Sequence, residues 1–282
     1  MLDKLTQVWH SYKYRFVPWL AFNLKERTVR SVTADNMDKI ISDDCLLDQL
    51  TSLTAALRGT LFHVVVETSP KQRQSAHQKA LKIMEEVMGF HVIRAPSVVG
   101  GTGVIVVGPN DIQDSMSTVV KKGQVVGLYP GVIYLPVQPI FFQSIGNPFI
   151  FRCADGILID GHDKRISKSL FRSCVNRDRV GSFPIADTSW LTEYPLNPLN
   201  VGQYVNNQSK GYPSNVAYQE LTIDGRHIHL QERCFIPKLV VFSPSPPRNP
   251  ECDIPLRVVA LIATRDIKCG EELFSDYFTI IK

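Results

Sequence analysis

Tyr277 and its neighbour Asp276 lie near the end of the sequence, where a phenol beside a carboxylate could take part in catalysis or recognition. An apolar run rich in β-branched residues, 258–263, comes before them, and another apolar run follows Tyr277. Runs of this kind predict buried strands, and the polar residues between them predict a turn. Tyr277 is therefore either a reactive group held between two strands or an ordinary edge residue of a small sheet.

A second polar cluster comes about sixty residues earlier. Asn206 and Asn207 are adjacent and follow apolar residues, and a Pro213-Ser214-Asn215 turn comes soon after them. Each asparagine side chain can both donate and accept hydrogen bonds. The pair therefore suits either the edge of a polar ring or a stretch of irregular backbone that needs partners.

Together the two clusters resemble the SET domain of lysine methyltransferases. Residues 265–277 match that family's R-D-I-x-x-G-E-E-L-x-x-D-Y pattern, and residues 204–207 with 213–215 stand for its R-F-I-N-H-x-C-x-P-N pattern. The resemblance covers nearly the whole chain. It implies an α+β, β-rich SET fold with several small twisted sheets and a C-terminal pseudoknot. It also implies methyl transfer from S-adenosylmethionine to a protein lysine side chain.

The resemblance assigns cofactor and catalytic roles to matching residues. Tyr277 would hold the transferred methyl group and lie beside the cofactor, Asn206 would bind the cofactor, and the backbone of Asn207 would hold the adenine. The turn that contacts the methionine end of the cofactor would be Gly101, Thr102 and Gly103. Glycine there lets backbone approach a ligand without a Cβ clash. The same residues fit neither a dinucleotide fingerprint nor a phosphate loop.

Three further residues would line the substrate channel. Tyr129 and Tyr204 match its tyrosine walls. Ser275, two residues before Tyr277, stands where family members carry an aromatic residue that limits how many methyl groups are added. Serine is much smaller, so the sequence predicts a roomier pocket that admits di- and trimethyllysine, unless another bulky side chain fills the gap.

Several positions depart from the family pattern. Val132 stands where an acid is common, Asn207 where the family has histidine, and Gln208-Ser209 where Ser-Cys is frequent. The sequence ends at Lys282, so we do not expect the cysteine-rich segment that caps the channel in many relatives. These departures support an alternative interpretation, a catalytically weak or inactive SET fold that acts as a protein-interaction module.

The amino-acid composition limits the classes of binding partner and the cellular compartments that the sequence predicts. The chain has 282 residues, 44% hydrophobic residues and a net charge of +4, which disfavours a nucleic-acid partner for the chain as a whole. It has no apolar run near the roughly 18 residues of a membrane helix, and no signal peptide is evident. The six cysteines form no CxxC pair, which disfavours zinc. Because no signal peptide is evident, we expect them to be reduced thiols in the nucleus or cytoplasm. His227 and His229 alternate on a predicted strand, but no third metal ligand is adjacent.

The periodic patterns divide the chain into two parts. Helices are predicted at 35–57 and 76–88, with Gly89 placed to cap the second, so residues 1–89 are interpreted as a helical N-terminal extension. The SET domain would occupy 90–282, with a variable insert at about 162–196 that either shapes the substrate groove or is a solvated excursion with one helix. Two strands are predicted within 217–230, turning at Asp224-Gly225.

The first 34 residues carry most of the excess charge. They hold six basic and two acidic residues, interleaved with aromatic ones. A third hypothesis is therefore a peptide- or nucleic-acid-binding segment. The alternative is a segment whose aromatic side chains dock on the domain while its charges stay solvated.

Overall fold

The structure is a computed structural model that describes residues 12–14, 30–32, 39–66, 70–109, 117–179, 183–241 and 255–281. Most of the basic segment 1–34 thus lies outside the described residues. The helices are α1 (Asp43–Val66), α2 (Pro70–Met88), α3 (Phe141–Ser144) and α4 (Arg165–Arg177). The strands are β1 (Tyr12–Tyr14), β2 (Arg30–Val32), β3 (His91–Pro96), β4 (Thr102–Val107), β5 (Thr118–Val120), β6 (Val125–Leu128), β7 (Gly131–Tyr134), β8 (Ile150–Arg152), β9 (Leu158–Asp160), β10 (Asn206–Asn207), β11 (Val216–Ile223), β12 (Lys238–Val240), β13 (Leu256–Ala263), β14 (Ile267–Lys268), β15 (Phe274–Ser275) and β16 (Phe278–Ile281).

Helix α1 begins and ends later than its periodicity predicted. Ser42 precedes it, and its hydroxyl accepts a hydrogen bond from the Cys45 N–H, which satisfies one of the first-turn donors. One side of the helix is a buried leucine row at spacings of three and four: Leu46, Leu50, Leu53, Leu57 and Leu61. That row extends past residue 57, so the helix continues to Val66.

Helix α2 is longer at its start than the pattern at 76–88 indicated. Pro70 opens it, where a missing N–H costs nothing because the first turn has no intrahelical acceptor for it. Gly89 follows the last turn with a φ of +83°, and its N–H bonds to the Glu85 carbonyl at 2.9 Å. The predicted glycine cap is therefore confirmed, because this left-handed conformation favours glycine.

The β-structure consists of small sheets, as an α+β SET fold predicted. The described strands form a four-stranded sheet (β12-β7-β9-β8), two three-stranded sheets (β11-β13-β6 and β1-β16-β2) and three two-stranded pairs (β3-β4, β5-β14 and β10-β15). Strands β8 and β9 form an antiparallel hairpin that turns at Asp155-Gly156. No helix in the described part is both long and apolar enough to cross a membrane.

Two hydrophobic cores hold these elements together. The larger core combines the leucine row of α1 and the inner side of α2 with β6, β11 and β13. The smaller core packs Phe171 of α4 and Trp190 against Val132 and Tyr134 of β7. Within the segment 162–196, Phe171 and Trp190 are therefore buried against the four-stranded sheet, whereas Ile166 is 51% exposed.

The prediction of two strands within 217–230 was wrong. Strand β11 ends at Ile223, and a turn at Asp224 leads into a 3₁₀ helix over Leu230–Phe235. The Asp224 carboxylate accepts from the Arg226 N–H at 2.9 Å and pairs with His227 at 2.9 Å. The side chain of His229 accepts from the Gln231 N–H and caps the 3₁₀ helix. The histidines therefore serve a turn and a cap, which compete locally with strand structure.

Candidate active site

Strands β10 and β15 are far apart in the sequence but pair near the C-terminal residue Tyr277, and this pairing is called the crossing below. Strand β10 pairs in parallel with β15, so Asn206 lies opposite Phe274 and Asn207 opposite Ser275. Asn215 stabilises the crossing with two hydrogen bonds to Phe274. Its N–H donates to the Phe274 carbonyl at 2.9 Å, and its side-chain oxygen accepts from the Phe274 N–H at 2.8 Å. Asn215 is 1% exposed, so these bonds satisfy an otherwise costly buried amide.

Tyr277 is held at this crossing by two hydrogen bonds. Its hydroxyl donates to the Val205 carbonyl at 2.9 Å, and its backbone N–H donates to the Asn207 side-chain oxygen at 2.9 Å. Burial raises the pKa of Tyr277 above its ordinary value, so the phenol stays neutral near pH 7. Asn207, which departs from the family's histidine, thus positions the backbone of Tyr277 through its own side chain.

Asp276, the acid beside Tyr277, forms hydrogen bonds with other residues than Tyr277 does. The Asp276 carboxylate accepts hydrogen bonds from the Gln208 amide and, at 2.9 Å, from the Ser214 hydroxyl. The Gln208 oxygen in turn accepts from the Ser214 N–H. Asp276 therefore stabilises the loop after β10, and Gln208, another departure from the family pattern, is one of its partners.

Asn206 connects the crossing to the glycine turn. Its amide donates to the Thr102 carbonyl at 3.1 Å and lies 3.3 Å from a Glu272 carboxylate oxygen. The other Glu272 oxygen accepts from the Val98 N–H at 3.1 Å. A Cβ on Gly103 would collide with the Glu272 carboxylate, so a larger residue there would have to displace that side chain. The sequence pattern did not indicate that Glu272 supports this turn.

A cleft of about 790 Å³ opens on the side of Gly101 and Thr102. Tyr204 lines it, and so do residues of α2, β3 and α4. Its charged residues are Arg94, Asp163, Lys164, Lys168 and Glu193. Clefts of this size accommodate small-molecule ligands and cofactors. The cleft therefore joins the predicted cofactor residues Gly101 and Thr102 to the predicted wall residue Tyr204.

One wall of the cleft is held by three basic side chains. Arg94 donates to the Thr192 carbonyl at 2.9 Å and Lys168 to the Leu191 carbonyl at 2.9 Å. His77 of α2 bonds to the Pro195 carbonyl at 2.7 Å. Burial lowers the pKa of His77, so the neutral ring donates from Nδ1. Helix α2, which precedes the glycine turn, thus helps to build this cleft.

Tyr204 is fixed in the cleft wall. Its hydroxyl donates to the Asp163 carboxylate at 2.5 Å, and the Arg94 guanidinium lies 5.2 Å from its ring centroid. Burial, followed by the hydrogen bond to Asp163, raises the pKa of Tyr204 to about 12. The side chain therefore offers the cleft a rigid aromatic edge and a neutral hydroxyl.

The small residue Ser275 has a large neighbour that the sequence did not identify. Both Ser275 and Tyr218 are buried, and their hydroxyl oxygens lie 3.0 Å apart. Tyr218 also packs edge-on against Tyr129, with ring centroids 6.3 Å apart. Tyr129 is fully buried, and its hydroxyl donates to the Phe149 carbonyl at 2.8 Å. A remote aromatic side chain therefore occupies the space beside Ser275.

One cluster of possible metal ligands occurs among the described residues, away from this crossing. It comprises Cys153, Asp155 and Glu220. Arg257 forms ion pairs with both carboxylates, at 2.6 Å to Asp155 and 2.7 Å to Glu220. Burial raises the pKa of the Cys153 thiol to about 12, which disfavours the thiolate that binds metals. Arg257 thus supplies the positive charge that these carboxylates need.

Comparisons with known proteins agree with the SET resemblance. The chain is 40% identical over 311 aligned positions to SET domain-containing protein 9 of Homo sapiens, covering 100% of this chain and 98% of that protein. It is 39% identical over 282 positions to the Pongo abelii protein of the same name, covering 90% and 97%. A solved Plasmodium falciparum structure, described as a candidate histone methyltransferase, aligns at 12% identity with a TM-score of 0.30 over 66% of this chain and 90% of that one, which is too weak to define a fold. No family model matches. The two full-length relatives suffice to show that the chain belongs to the SET domain-containing protein 9 family.

Proposed function

We propose that this protein transfers a methyl group from S-adenosylmethionine to the side-chain nitrogen of a protein lysine. The observation that supports this best is the link between Tyr277 and the cleft. Tyr277 bonds to Val205, and the next residue, Asn206, bonds to Thr102 at the cleft edge. Methyl transfer depends on aligning donor and acceptor, and a short rigid link between tyrosine and cleft serves that alignment.

The cleft has the chemistry to bind this cofactor. The amino-acid end of S-adenosylmethionine carries an ammonium and a carboxylate. The cleft presents acidic side chains and also the basic side chains of Arg94 and Lys164. Gly101 has a φ of +72°, so the turn exposes backbone that a residue with a Cβ would strain to present. The cofactor supplies a methyl carbon made electrophilic by its sulfonium. Gly101, Thr102 and Tyr204 would position it at the cleft edge.

The acceptor lysine must be neutral before it reacts. Its ammonium has an ordinary pKa of about 10.4, and buried surroundings penalise the charged form. A bound cofactor would supply its methyl carbon to the lone pair of this nitrogen, and its sulfur would keep the electrons of the broken C–S bond. The Tyr277 oxygen and the Val205 carbonyl can stabilise the partly positive methyl group by C–H···O contacts.

The proposal implies a protein or peptide partner that presents a lysine. It also places the protein inside the cell, in the nucleus or cytoplasm. Unpaired thiols support this, since oxidising compartments favour disulfides. The described free cysteines are Cys45, Cys153, Cys174, Cys234 and Cys269.

Calorimetry with S-adenosylmethionine tests the cofactor assignment. We expect saturable micromolar binding by the full-length protein, weakened by Gly101→Val because a branched residue strains a φ of +72°. Gly146→Val, at another exposed glycine with a φ of +60°, is the matched control for strain outside the cleft. No binding by the folded protein would overturn the proposal.

The alternative, a SET fold that binds a partner without catalysis, is favoured by one surface. Between β7 and β8, five large apolar side chains are exposed: Leu135 (41%), Val137 (90%), Phe141 (69%), Phe142 (71%) and Ile145 (56%). Contiguous exposed apolar residues commonly mark protein interfaces. If this surface is the functional one, Phe141→Ser with Phe142→Ser will abolish binding of the partner protein while Tyr277→Phe leaves that binding intact.

A further inference from the structure

The strand that follows Tyr277 lies between two strands from the start of the chain. Strand β16 pairs antiparallel with β1 and parallel with β2, so both of its edges are occupied. Tyr14 lies opposite Phe278, and Arg30 lies opposite Thr279. Because Phe278 is bonded directly to Tyr277, this sheet begins one residue after the candidate catalytic tyrosine.

The ladder on the other side of Tyr277 is shorter, with two pairs against three on each edge of β16. Strands β10 and β15 share the pairs Asn206–Phe274 and Asn207–Ser275. The Tyr277 N–H also donates to Asn207 and its hydroxyl to Val205, and Asn215 and Ser214 add hydrogen bonds to Phe274 and Asp276. A two-residue ladder restrains few backbone dihedrals, so the direction of the phenol also depends on how firmly the chain after it is held.

We propose that β1 and β2 are positioning elements of the methyl-transfer site. By pairing with both edges of β16 they fix the backbone on the C-terminal side of Tyr277 and thereby the direction of its hydroxyl. This inference rests on the proposed function and assigns the start of the chain a role in it. The cleft residues belong to other elements, so loss of this pairing should impair transfer more than cofactor binding.

Paired proline substitutions in the full-length protein test this inference. Neighbouring N–H groups along a strand point to opposite edges, so replacing two adjacent residues removes a ladder donor in either register. Lys13→Pro with Tyr14→Pro disrupts β1, and Arg30→Pro with Ser31→Pro disrupts β2. The matched alanine pairs keep the N–H groups, so the difference between proline and alanine pairs reports backbone pairing alone.

Three measurements are made on each variant: S-adenosylmethionine affinity, methyl transfer to a protein acceptor, and amide hydrogen exchange. Relative to the alanine pairs, we expect the proline pairs to lower transfer about tenfold or more while the cofactor Kd changes less than about twofold. Exchange should rise at the Tyr277 N–H, which bonds to Asn207, but not in β3 and β4.

The outcomes separate this inference from the proposed function. Unchanged transfer and unchanged Tyr277 exchange in both proline pairs would overturn the positioning role. Parallel loss of cofactor affinity, with increased exchange in β3 and β4, would also overturn it, because it would show general unfolding. If wild type binds no cofactor and transfers no methyl group, the proposed function fails, and the positioning role in catalysis fails with it.

Discussion

The Tyr277 hydroxyl donates a hydrogen bond to the Val205 carbonyl, joining residues 72 positions apart in the chain at a distance of 2.9 Å. Val205 directly precedes Asn206, whose side chain reaches the Thr102 carbonyl. One short backbone segment therefore connects the candidate catalytic phenol with the edge of the cleft. The expected effects of substituting Tyr277 and Asn206 follow from this connection.

Tyr277→Phe removes only the hydroxyl at this connection. We expect methyl transfer to fall by at least about tenfold, whereas loss of one hydrogen bond should cost only about 1 kcal/mol of unfolding free energy. Single-turnover rates and urea denaturation measure the two effects. Tyr212→Phe is the control, because Tyr212 is 42% exposed and its ring lies against Phe274 at the same crossing. Equal transfer by wild type and Tyr277→Phe would remove the phenol from the mechanism.

Asn206→Asp should make cofactor binding depend on pH. The new carboxylate would stand where the Asn206 amide lies 3.3 Å from Glu272, and two like charges so close repel each other unless they share a proton. We expect calorimetry to show weak binding at pH 8 that recovers as the pH falls toward 5.5. Asn206→Ala, which adds no charge, should bind weakly at both pH values. A pH-independent Asn206→Asp variant would contradict the close contact with Glu272.

Tyr218 should control how many methyl groups are added. Its hydroxyl lies 3.0 Å from that of Ser275, so it fills space that the small serine would otherwise leave open. We expect the wild-type protein to add few methyl groups to each lysine and Tyr218→Phe to produce more di- and trimethyllysine. Mass spectrometry at long reaction times measures the products. Ser275→Tyr should mainly destabilise the protein, since that space is already filled. Identical product distributions for wild type and Tyr218→Phe would refute the assignment.

The buried Lys238 should lower the free energy of unfolding of the protein near neutral pH. It is 1% exposed, no described group hydrogen-bonds its amine, and burial lowers its pKa from 10.5 to about 7. Between those values the unfolded chain holds a proton that the folded chain lacks, so this residue's penalty is complete below pH 7 and shrinks as pH rises toward 10.5.

Lys238→Met should therefore stabilise the protein most at pH 7 and below. The gain should fall by about 1.4 kcal/mol for each pH unit above 7. Urea denaturation at pH 7 and pH 9 measures it, with the exposed Lys210→Met as control. A gain that stays constant across this range would show that the Lys238 amine is not desolvated in the folded protein.

The parts of the site that carry side-chain motifs were predictable from sequence. Tyr277 bonds to Val205, the residue before Asn206, so the two motifs lie together, and Gly101 and Thr102 line the same cleft as Tyr204. Glu272 lies within the matched pattern at 265–277 but had no predicted role, because its partner Val98 is more than 170 residues away and its contact is with a backbone N–H. Such a contact leaves no periodic signal in the sequence.

Other features depend on tertiary context that local patterns do not contain. Tyr218 lies on a buried strand, where an aromatic residue looks like ordinary core until its hydroxyl partner is known. The pairing of β16 with β1 and β2 joins opposite ends of the chain, and no spacing rule connects them. His227 and His229 alternate like strand residues, but the Asp224 turn and its hydrogen bonds decide their conformation.

Lysine methylation through Tyr277 can be measured directly. The full-length protein is incubated with methyl-labelled S-adenosylmethionine and cell extract, and labelled amino acids are identified after hydrolysis. We expect labelled N-methyllysine with wild type and a reduction of about tenfold or more with Tyr277→Phe. No labelled methyllysine from wild-type protein that binds the cofactor, or equal labelling by both proteins, would contradict this expectation.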